Sequence, residues 1–117
     1  MKRIRPAAVA GAFYTGDPRS LASEVAAMLE EAEQHMEKPA TLPKALIVPH
    51  AGYIYSGPVA ASAYALLEQG RNIYRRVVLL GPVHRVPVHG LALPSSEGFA
   101  TPLGIVPLDL DAMAKIA

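Results

Sequence analysis

The sequence predicts an α/β fold with a mainly parallel sheet and flanking helices. Two short runs, Ala45–Val48 and Val77–Leu80, are apolar at every position, which is typical of strands buried on both faces of a parallel sheet. A helical pattern from Val59 to about Gln69 lies between them. Strand, helix and strand within about 35 residues predict a βαβ unit, whose crossover is right-handed in about 98% of cases.

Length and composition exclude several classes of protein. The chain has 117 residues, which bounds it to one domain at roughly 100–200 residues per domain. Eleven Lys and Arg against ten Asp and Glu give a net charge of +1, so no basic patch for nucleic acid is expected. No apolar run approaches the roughly 18 residues that cross a bilayer, and the weakly apolar N-terminus predicts mature, cytoplasmic protein.

The charge content also bears on partners. Charged residues make up 18% of the chain, below the roughly 25% of soluble domains, so some apolar surface is expected to be covered. A second copy in a homo-oligomer or more of the same chain would cover it. The absence of Cys excludes a disulfide framework and a thiolate metal site within these residues.

The first helix is predicted over residues 18–37. Asp17 is placed to be its N-cap and Pro18 its first helical residue. Apolar residues then recur at helical spacing, namely Leu21, Val25, Met28, Leu29, Ala32 and Met36. The second helix is predicted to open at Gly57-Pro58 and to end at Gly70, as a left-handed stop.

The C-terminal third alternates apolar pieces with turn residues. Strands are predicted over His89–Leu93 and Ile105–Leu108, with a loop over Gly98–Gly104 that includes a Thr101–Gly104 turn. Asp109 is a suitable N-cap for a helix that begins at Leu110. Because that helical pattern is incomplete at Ala117, we expect residues 1–117 to be the N-terminal portion of a longer single α/β domain.

Two histidines follow the two predicted strands. His50 comes after Ala45–Val48 and His84 after Val77–Leu80, each in a Pro/Gly-rich turn. Ligands of open α/β sheets bind at the carboxyl edge of the strands, and neighbouring strands lie about 5 Å apart, so both imidazoles can reach one metal or one substrate carboxyl. Alternatively, each imidazole only packs in its turn or bonds a carbonyl. A further ligand cannot be assigned among His89, Glu97, Asp109 and Asp111.

Residues near the histidines are candidates for substrate binding. Tyr53, Tyr55 and Ser56 follow His50, ahead of a helix N-terminus whose partial positive charge suits an anion. Arg85 follows His84 and either holds an anionic substrate or caps its loop. For Tyr55, packing is an equal alternative. Nucleotide-binding glycine motifs are absent, and the surroundings of Ser56 do not match a hydrolase nucleophile elbow.

Four motifs together resemble the MEMO family, whose bacterial members are like protein B of the AmmeMemoRadiSam system. They are Val9–Tyr14, Val48–Gly57, Leu80–His84 and Thr101–Gly104, and their order and spacing match from end to end of the chain. The Pro-His-Ala-Gly-Tyr sequence around His50 is the most specific of them. Family members are more than twice as long as this chain.

The resemblance implies a metal site. It implies a fold similar to the class III extradiol dioxygenases, with His50 and His84 as two of three ligands of a non-haem metal. Fe²⁺ is the expected metal, with Cu or Zn as alternatives, and the third ligand is a Cys beyond Ala117. Two positions depart from the family pattern, since Val83 stands where Ser is usual and Arg85 where a second His is frequent.

The resemblance leaves the function open between two classes. One is a dioxygenase-like oxidoreductase that binds a catecholate, of which residues 1–117 alone would be inactive. The other is a non-catalytic module that binds a peptide or small anion in the same pocket. The family name also implies two protein partners, one like the system's protein A and one a radical SAM protein.

Overall fold

A computed structural model describes residues 3–117 as a mixed α/β fold. The elements, in chain order, are β1 (Ile4–Arg5), α1 (Pro18–Gln34), α2 (Tyr53–Tyr64), a 3₁₀-helix (Ala65–Gly70), β2 (Gly98–Thr101), β3 (Gly104–Pro107) and α3 (Leu110–Ile116). They fall into two compact units, which we call the helical unit (residues 9–75) and the sheet unit (residues 3–8 and 76–117). Within the described residues, every helix is too short or too polar to cross a bilayer.

Helix α1 begins where the sequence predicts. The Asp17 carboxylate accepts a hydrogen bond from the Ser20 backbone N–H at 2.8 Å, and Pro18 is the first helical residue. The helix ends at Gln34, three residues before the predicted end. At His35 the ring Nδ1 lies 2.8 Å from the Glu31 carbonyl oxygen, the acceptor that the His35 N–H would use in a continuing α-helix. That N–H instead donates to Ala32.

The Asp17 cap makes the helix sensitive to acid. The hydrogen bond from Ser20 lowers the pKa of Asp17, so its stabilising effect is complete above the unfolded-state pKa and is lost as pH falls through the folded-state pKa. We expect the thermal midpoint of Asp17→Asn, which retains a capping oxygen, to lie below wild type at neutral pH and to converge with it in acid. Asp17→Ala should lie lower at both pH values. Circular dichroism melts between pH 2 and 7 test this, and a constant gap between wild type and Asp17→Asn would contradict it.

The core of the helical unit lies between α1 and α2. The buried apolar residues described are Leu21 of α1 at 3% exposure, Ala61 of α2 at 5% and Ala65 of the 3₁₀-helix at 6%. Gly57 is also buried, and a Cβ built on it would lie 2.7 Å from the Met28 Sδ. Small residues on α2 therefore let the two helices approach closely.

Helix α2 differs from its prediction at both ends. It begins at Tyr53 instead of Gly57-Pro58, so Pro58 lies inside the helix, and it passes into the 3₁₀-helix after Tyr64. Gly70 is not left-handed. It is needed for space instead, because a Cβ there would overlap the ring of Tyr74, whose hydroxyl donates to the Pro43 carbonyl at 2.6 Å.

The predicted βαβ unit is wrong for the part of the chain that the structure describes. Ala45–Val48 and Val77–Leu80 are irregular and pair with no strand in residues 3–117. An apolar run becomes a strand only when a neighbour takes up its backbone hydrogen bonds. Without one, the side chains from Val77 to Leu80 remain 73–84% exposed and Ile47 is fully exposed.

The sheet that does form is mixed and lies in the sheet unit. Its order is β1-β2-β3, with β1 parallel to β2 and β2 antiparallel to β3. The predicted loop over Gly98–Gly104 is therefore mostly strand β2, and His89–Leu93 is irregular. Strand β3 agrees with the predicted Ile105–Leu108 to within one residue.

Local turn and cap signals in the sheet unit are confirmed. At the predicted Thr101–Gly104 turn the Thr101 hydroxyl donates to the Gly104 carbonyl at 2.8 Å, and Gly104 has φ +135°. Asp109 caps α3 by accepting from the Ala112 N–H at 3.0 Å, and helix α3 begins at Leu110 as predicted.

Candidate functional site

His50 is exposed and lies two residues before the N-cap of α2. The preceding residues, from Ala45 to Pro49, are irregular, and Ala51 forms a bend. Gly52 is the N-cap, and α2 starts at Tyr53. The sequence predicts an anion-binding helix N-terminus at Gly57-Pro58, and this position is wrong. The helix begins at Tyr53, directly after residues 50–52, which bend at Ala51 and which we call the His50 turn.

The first turn of α2 is fixed by its own backbone and by a distant carbonyl. The N–H groups of Tyr55 and Ser56 donate to the Gly52 carbonyl at 2.9 and 3.0 Å. The Tyr53 N–H, which has no partner within the helix, donates to the Phe13 carbonyl at 2.8 Å. A segment about 40 residues earlier in the chain thus caps the helix that follows His50.

Ser56 is the most buried polar residue near His50. It is 5% exposed, and its hydroxyl lies 2.8 Å from the Ala51 carbonyl oxygen and 3.3 Å from that of Gly52. A hydroxyl has one proton, so the shorter contact to Ala51 is the main hydrogen bond. The predicted role of Ser56 in substrate binding stays a prediction. The structure shows in addition that its hydroxyl bonds the turn that follows His50.

Tyr53 is half-buried against a tyrosine to which sequence reasoning gave no role. Its ring centroid lies 5.4 Å from that of Tyr14, with 38° between the planes. Burial raises the pKa of the Tyr53 phenol, and the charges of Tyr14, Tyr64 and Glu24 raise it further. Tyr53 therefore remains a proton-bearing phenol at neutral pH. The sequence indicates Tyr14 only as a member of the Val9–Tyr14 motif. A single sequence does not show which segment that motif packs against.

The other predicted residues are exposed. Tyr55 is 81% exposed on α2. His84 and Arg85 lie in a bend of the sheet unit and are both exposed, next to Val83 at 55% exposure. These positions permit contact with a ligand, and their roles stay predictions.

The candidates for a third ligand have other contacts or lie on the surface. His89 is exposed. Glu97 sits beside β2, where its backbone N–H donates to the Arg3 carbonyl at 2.8 Å. The Asp109 carboxylate caps α3 and forms an ion pair with Arg76 at 3.1 Å, and Asp111 lies in the first turn of that helix.

The donor chemistry of the described chain fits a metal site in part. Neutral imidazole is the commonest metal ligand in proteins, and His50 and His84 each supply one. Across residues 3–117, the structure contains no group of three or more His, Cys, Asp or Glu side chains that could hold a metal ion. Catalytic zinc uses three protein ligands, and non-haem iron commonly uses two His and a carboxylate, so a further donor is needed.

Two cavities in the described residues are lined by neither His50 nor His84. One in the helical unit has a volume of about 130 Å³ and is lined by Glu33, Met36, Lys38, Pro39, Ala65, Leu66, Glu68 and Gln69. The other, in the sheet unit, has a volume of about 320 Å³ and is lined by Arg3, Leu93–Glu97, Leu110, Met113, Ala114 and Ala117. Of the residues weighed as ligands, only Glu97 lines one of these cavities.

The fold and the site define a mixed α/β protein in which an exposed histidine, His50, precedes a helix start held by backbone hydrogen bonds. Residues 5–117 match the model of the Memo-like protein family. The chain belongs to the MEMO family.

Individual relatives extend this match. The chain is 42% identical, in an alignment that covers 91% of its length, to a MEMO1 family protein of Methanothermobacter thermautotrophicus. It is 40% identical over 97% of its length to a MEMO1 family protein of Aquifex aeolicus, and 38% identical over 96% to the protein MEMO1 of Danio rerio. The matches cover 39%, 40% and 36% of those relatives, so the chain spans about two fifths of their length.

Proposed function

We propose that this chain supplies His50 and His84 as two imidazole ligands of a non-haem metal site. The observation that carries the proposal is the His50 turn, where an exposed imidazole precedes a helix start held by the Phe13 carbonyl. Rigid backbone next to a ligand is what a metal site requires, because ligands must be held in place before the ion binds. Membership of the MEMO family supports the same assignment.

The third ligand is proposed to lie outside residues 1–117, and the expected ion is Fe²⁺, with Cu or Zn as alternatives. When bound, such an ion would supply Lewis-acid or redox chemistry at open coordination positions. Within the chain, Tyr53 keeps its phenolic proton and can donate a hydrogen bond to a bound substrate. Tyr55 and Arg85 are exposed and can contact the ring or the anionic group of that substrate. This favours a dioxygenase-like oxidoreductase acting on a planar, anionic substrate.

A second function is a non-catalytic binding module, and one observation favours it. Ile54 and Tyr55, adjacent on α2, are 85% and 81% exposed, and large exposed side chains of this kind mark contact sites for peptides. A peptide or a small anion would then use the surface beside His50. The protein partners implied by the resemblance, like the cytoplasmic location and a homo-oligomer, remain predictions.

We also propose that residues 1–117 form the N-terminal portion of one larger α/β domain. The exposure of Val77–Leu80 supports this, because four consecutive apolar side chains at 73–84% exposure leave a large surface to be covered. The share of the relatives that the chain spans, about two fifths, supports it as well. A mainly parallel sheet of the dioxygenase-like kind would pair these runs with further strands.

The decisive experiment is metal analysis of histidine variants. The complete gene product is purified without chelator as wild type, His50→Ala and His84→Ala, with His35→Ala as the matched control because His35 is exposed at the end of α1. Mass spectrometry should find the metal content lowered at least about 10-fold in the first two variants and unchanged in the control. Iron, copper or zinc retained equally by all four proteins would overturn the ligand assignment.

Oxygen uptake separates the two proposed functions. The iron-loaded complete gene product is mixed with a panel of catechols, and uptake that is lost in His50→Ala supports the oxidoreductase. No uptake with any catechol favours the binding module.

A further inference from the structure

We propose that Ser56 is a positioning residue that orients His50 through the Ala51 carbonyl. The inference rests on the proposed role of His50 as a ligand and adds a residue that sets its direction. Ser56 itself touches no metal in this proposal. Its hydroxyl bonds the Ala51 carbonyl, which belongs to the peptide group between Ala51 and Gly52, one residue beyond His50.

The first observation is the reach of the Ser56 hydroxyl. Serine in a helix commonly bonds the carbonyl four residues earlier, which here is Gly52. That carbonyl already accepts the N–H groups of Tyr55 and Ser56, and the hydroxyl makes its shorter contact, 2.8 Å, with Ala51. The bond therefore extends past the helix N-terminus into the turn that carries His50.

The second observation is that this turn is held from two directions. On one side Ser56 holds the Ala51 carbonyl, and on the other the Phe13 carbonyl accepts the Tyr53 N–H. Gly52 lies between these points, and a Cβ built on it would be in ordinary van der Waals contact, at 3.6 Å, with the Phe13 carbonyl oxygen. The peptide groups on both sides of Gly52 are therefore hydrogen-bonded. Holding the peptide group between Ala51 and Gly52 limits rotation about ψ of Ala51, and in this proposal that limit is passed to the neighbouring His50 backbone and the direction of its Cα–Cβ bond.

The third observation is the burial of Ser56. The residue is 5% exposed, and no buried polar side-chain atom in the described residues lacks a hydrogen-bond partner. Removal of the hydroxyl would take away the buried donor that holds the Ala51 carbonyl. A peptide group that has lost this hydrogen bond can rotate, and its rotation would change the backbone conformation beside His50.

The chain offers a matched control in the same helix. Ser62 donates its hydroxyl to the Pro58 carbonyl at 3.1 Å, but it is exposed and lies further along α2, away from the turn that carries His50. Ser62→Ala thus removes the same kind of bond without touching the turn. A role of Ser56 in helix stability alone would make both variants behave alike at His50.

The test uses residues 1–117 with ¹⁵N-labelled histidine and compares wild type, Ser56→Ala, Ser56→Thr and Ser62→Ala. Without metal, three-bond backbone couplings of His50 report its φ angle, which sets the direction of its Cα–Cβ bond. With Co²⁺, broadening of the ring resonances reports the dissociation constant at each histidine. We expect Ser56→Ala to average the His50 couplings and to weaken Co²⁺ binding at His50 about 10-fold. Ser56→Thr should restore both, and Ser62→Ala should resemble wild type.

The outcomes distinguish this inference from the proposed function. Unchanged couplings at His50 in Ser56→Ala, or an equal change in Ser62→Ala, overturn the positioning role. If Co²⁺ leaves the wild-type His50 resonances unaffected, the ligand role of His50 fails, while the metal-free couplings still decide what Ser56 does. Should Ser56→Ala lose its helical circular dichroism, Ser56→Cys is read in the metal-free measurement, where its weaker donor should give partly averaged couplings and wild-type couplings would overturn the role.

Discussion

Replacing Leu21 by alanine is expected to lower the free energy of unfolding of the helical unit by about 2–5 kcal/mol. Leu21 is 3% exposed, the lowest exposure among the buried apolar residues described. Truncation removes its buried apolar contacts and leaves a cavity in the core of the helical unit. Domains are stable by only about 5–15 kcal/mol, so the loss would remove a large share of the total.

Urea unfolding followed by helical circular dichroism measures this loss. Leu91→Ala is the matched control, because the same side-chain atoms are removed from a residue that is 72% exposed in the sheet unit. The control should change stability by no more than about 0.5 kcal/mol. Equal small effects of the two substitutions would show that Leu21 does not belong to the stabilising core of the helical unit.

The parts of the fold that the sequence predicts well are those settled by neighbouring residues. Asp17 and Asp109 cap helices because a short carboxylate reaches an N–H group three residues ahead, which requires nothing from the rest of the molecule. The Thr101–Gly104 turn likewise closes on its own side chain and on a glycine with positive φ. Such signals are readable in a single sequence.

The failed strand predictions have a different physical origin. Four consecutive apolar residues at Val77–Leu80 indicate that the run is suited to a buried environment, but not which segment provides it. Strand pairing is a contact between distant residues, and it must form before burial can stabilise it. In residues 3–117 the pairing that does form is between β2 and β3, which are joined by a two-residue turn, and between β2 and the short β1.

Helix α2 shows the same dependence on distant contacts at the site itself. Gly57-Pro58 is a reasonable local start for a helix, because proline suits the first turn. The helix nevertheless starts at Tyr53, where the Phe13 carbonyl accepts its first N–H and the Tyr14 ring packs on the Tyr53 ring. The pattern of residues thus predicts that the turn at His50 carries the site. The support that fixes this turn comes from a segment that only the structure identifies.

Residues 1–117 alone are expected to bind a divalent metal weakly. Structural zinc sites with four ligands bind with about 10–16 kcal/mol, so two ligands of similar strength would give about 5–8 kcal/mol. That corresponds to a dissociation constant on the order of 1–200 μM. Water would fill the other coordination positions of the ion. The ligands that residues 1–117 lack are therefore expected to account for several powers of ten in affinity.

Isothermal titration of Zn²⁺ into the chain at neutral pH measures this affinity. His50→Ala should weaken binding further, towards the level of a surface histidine, while His35→Ala should leave it unchanged, because His35 lies at the end of α1 beside Glu31. Tight binding of one ion per chain, in the nanomolar range typical of a complete set of ligands, would contradict the proposal that a donor lies outside residues 1–117. The third ligand would then have to be sought among His89, Glu97, Asp109 and Asp111, and alanine variants of these four would identify it.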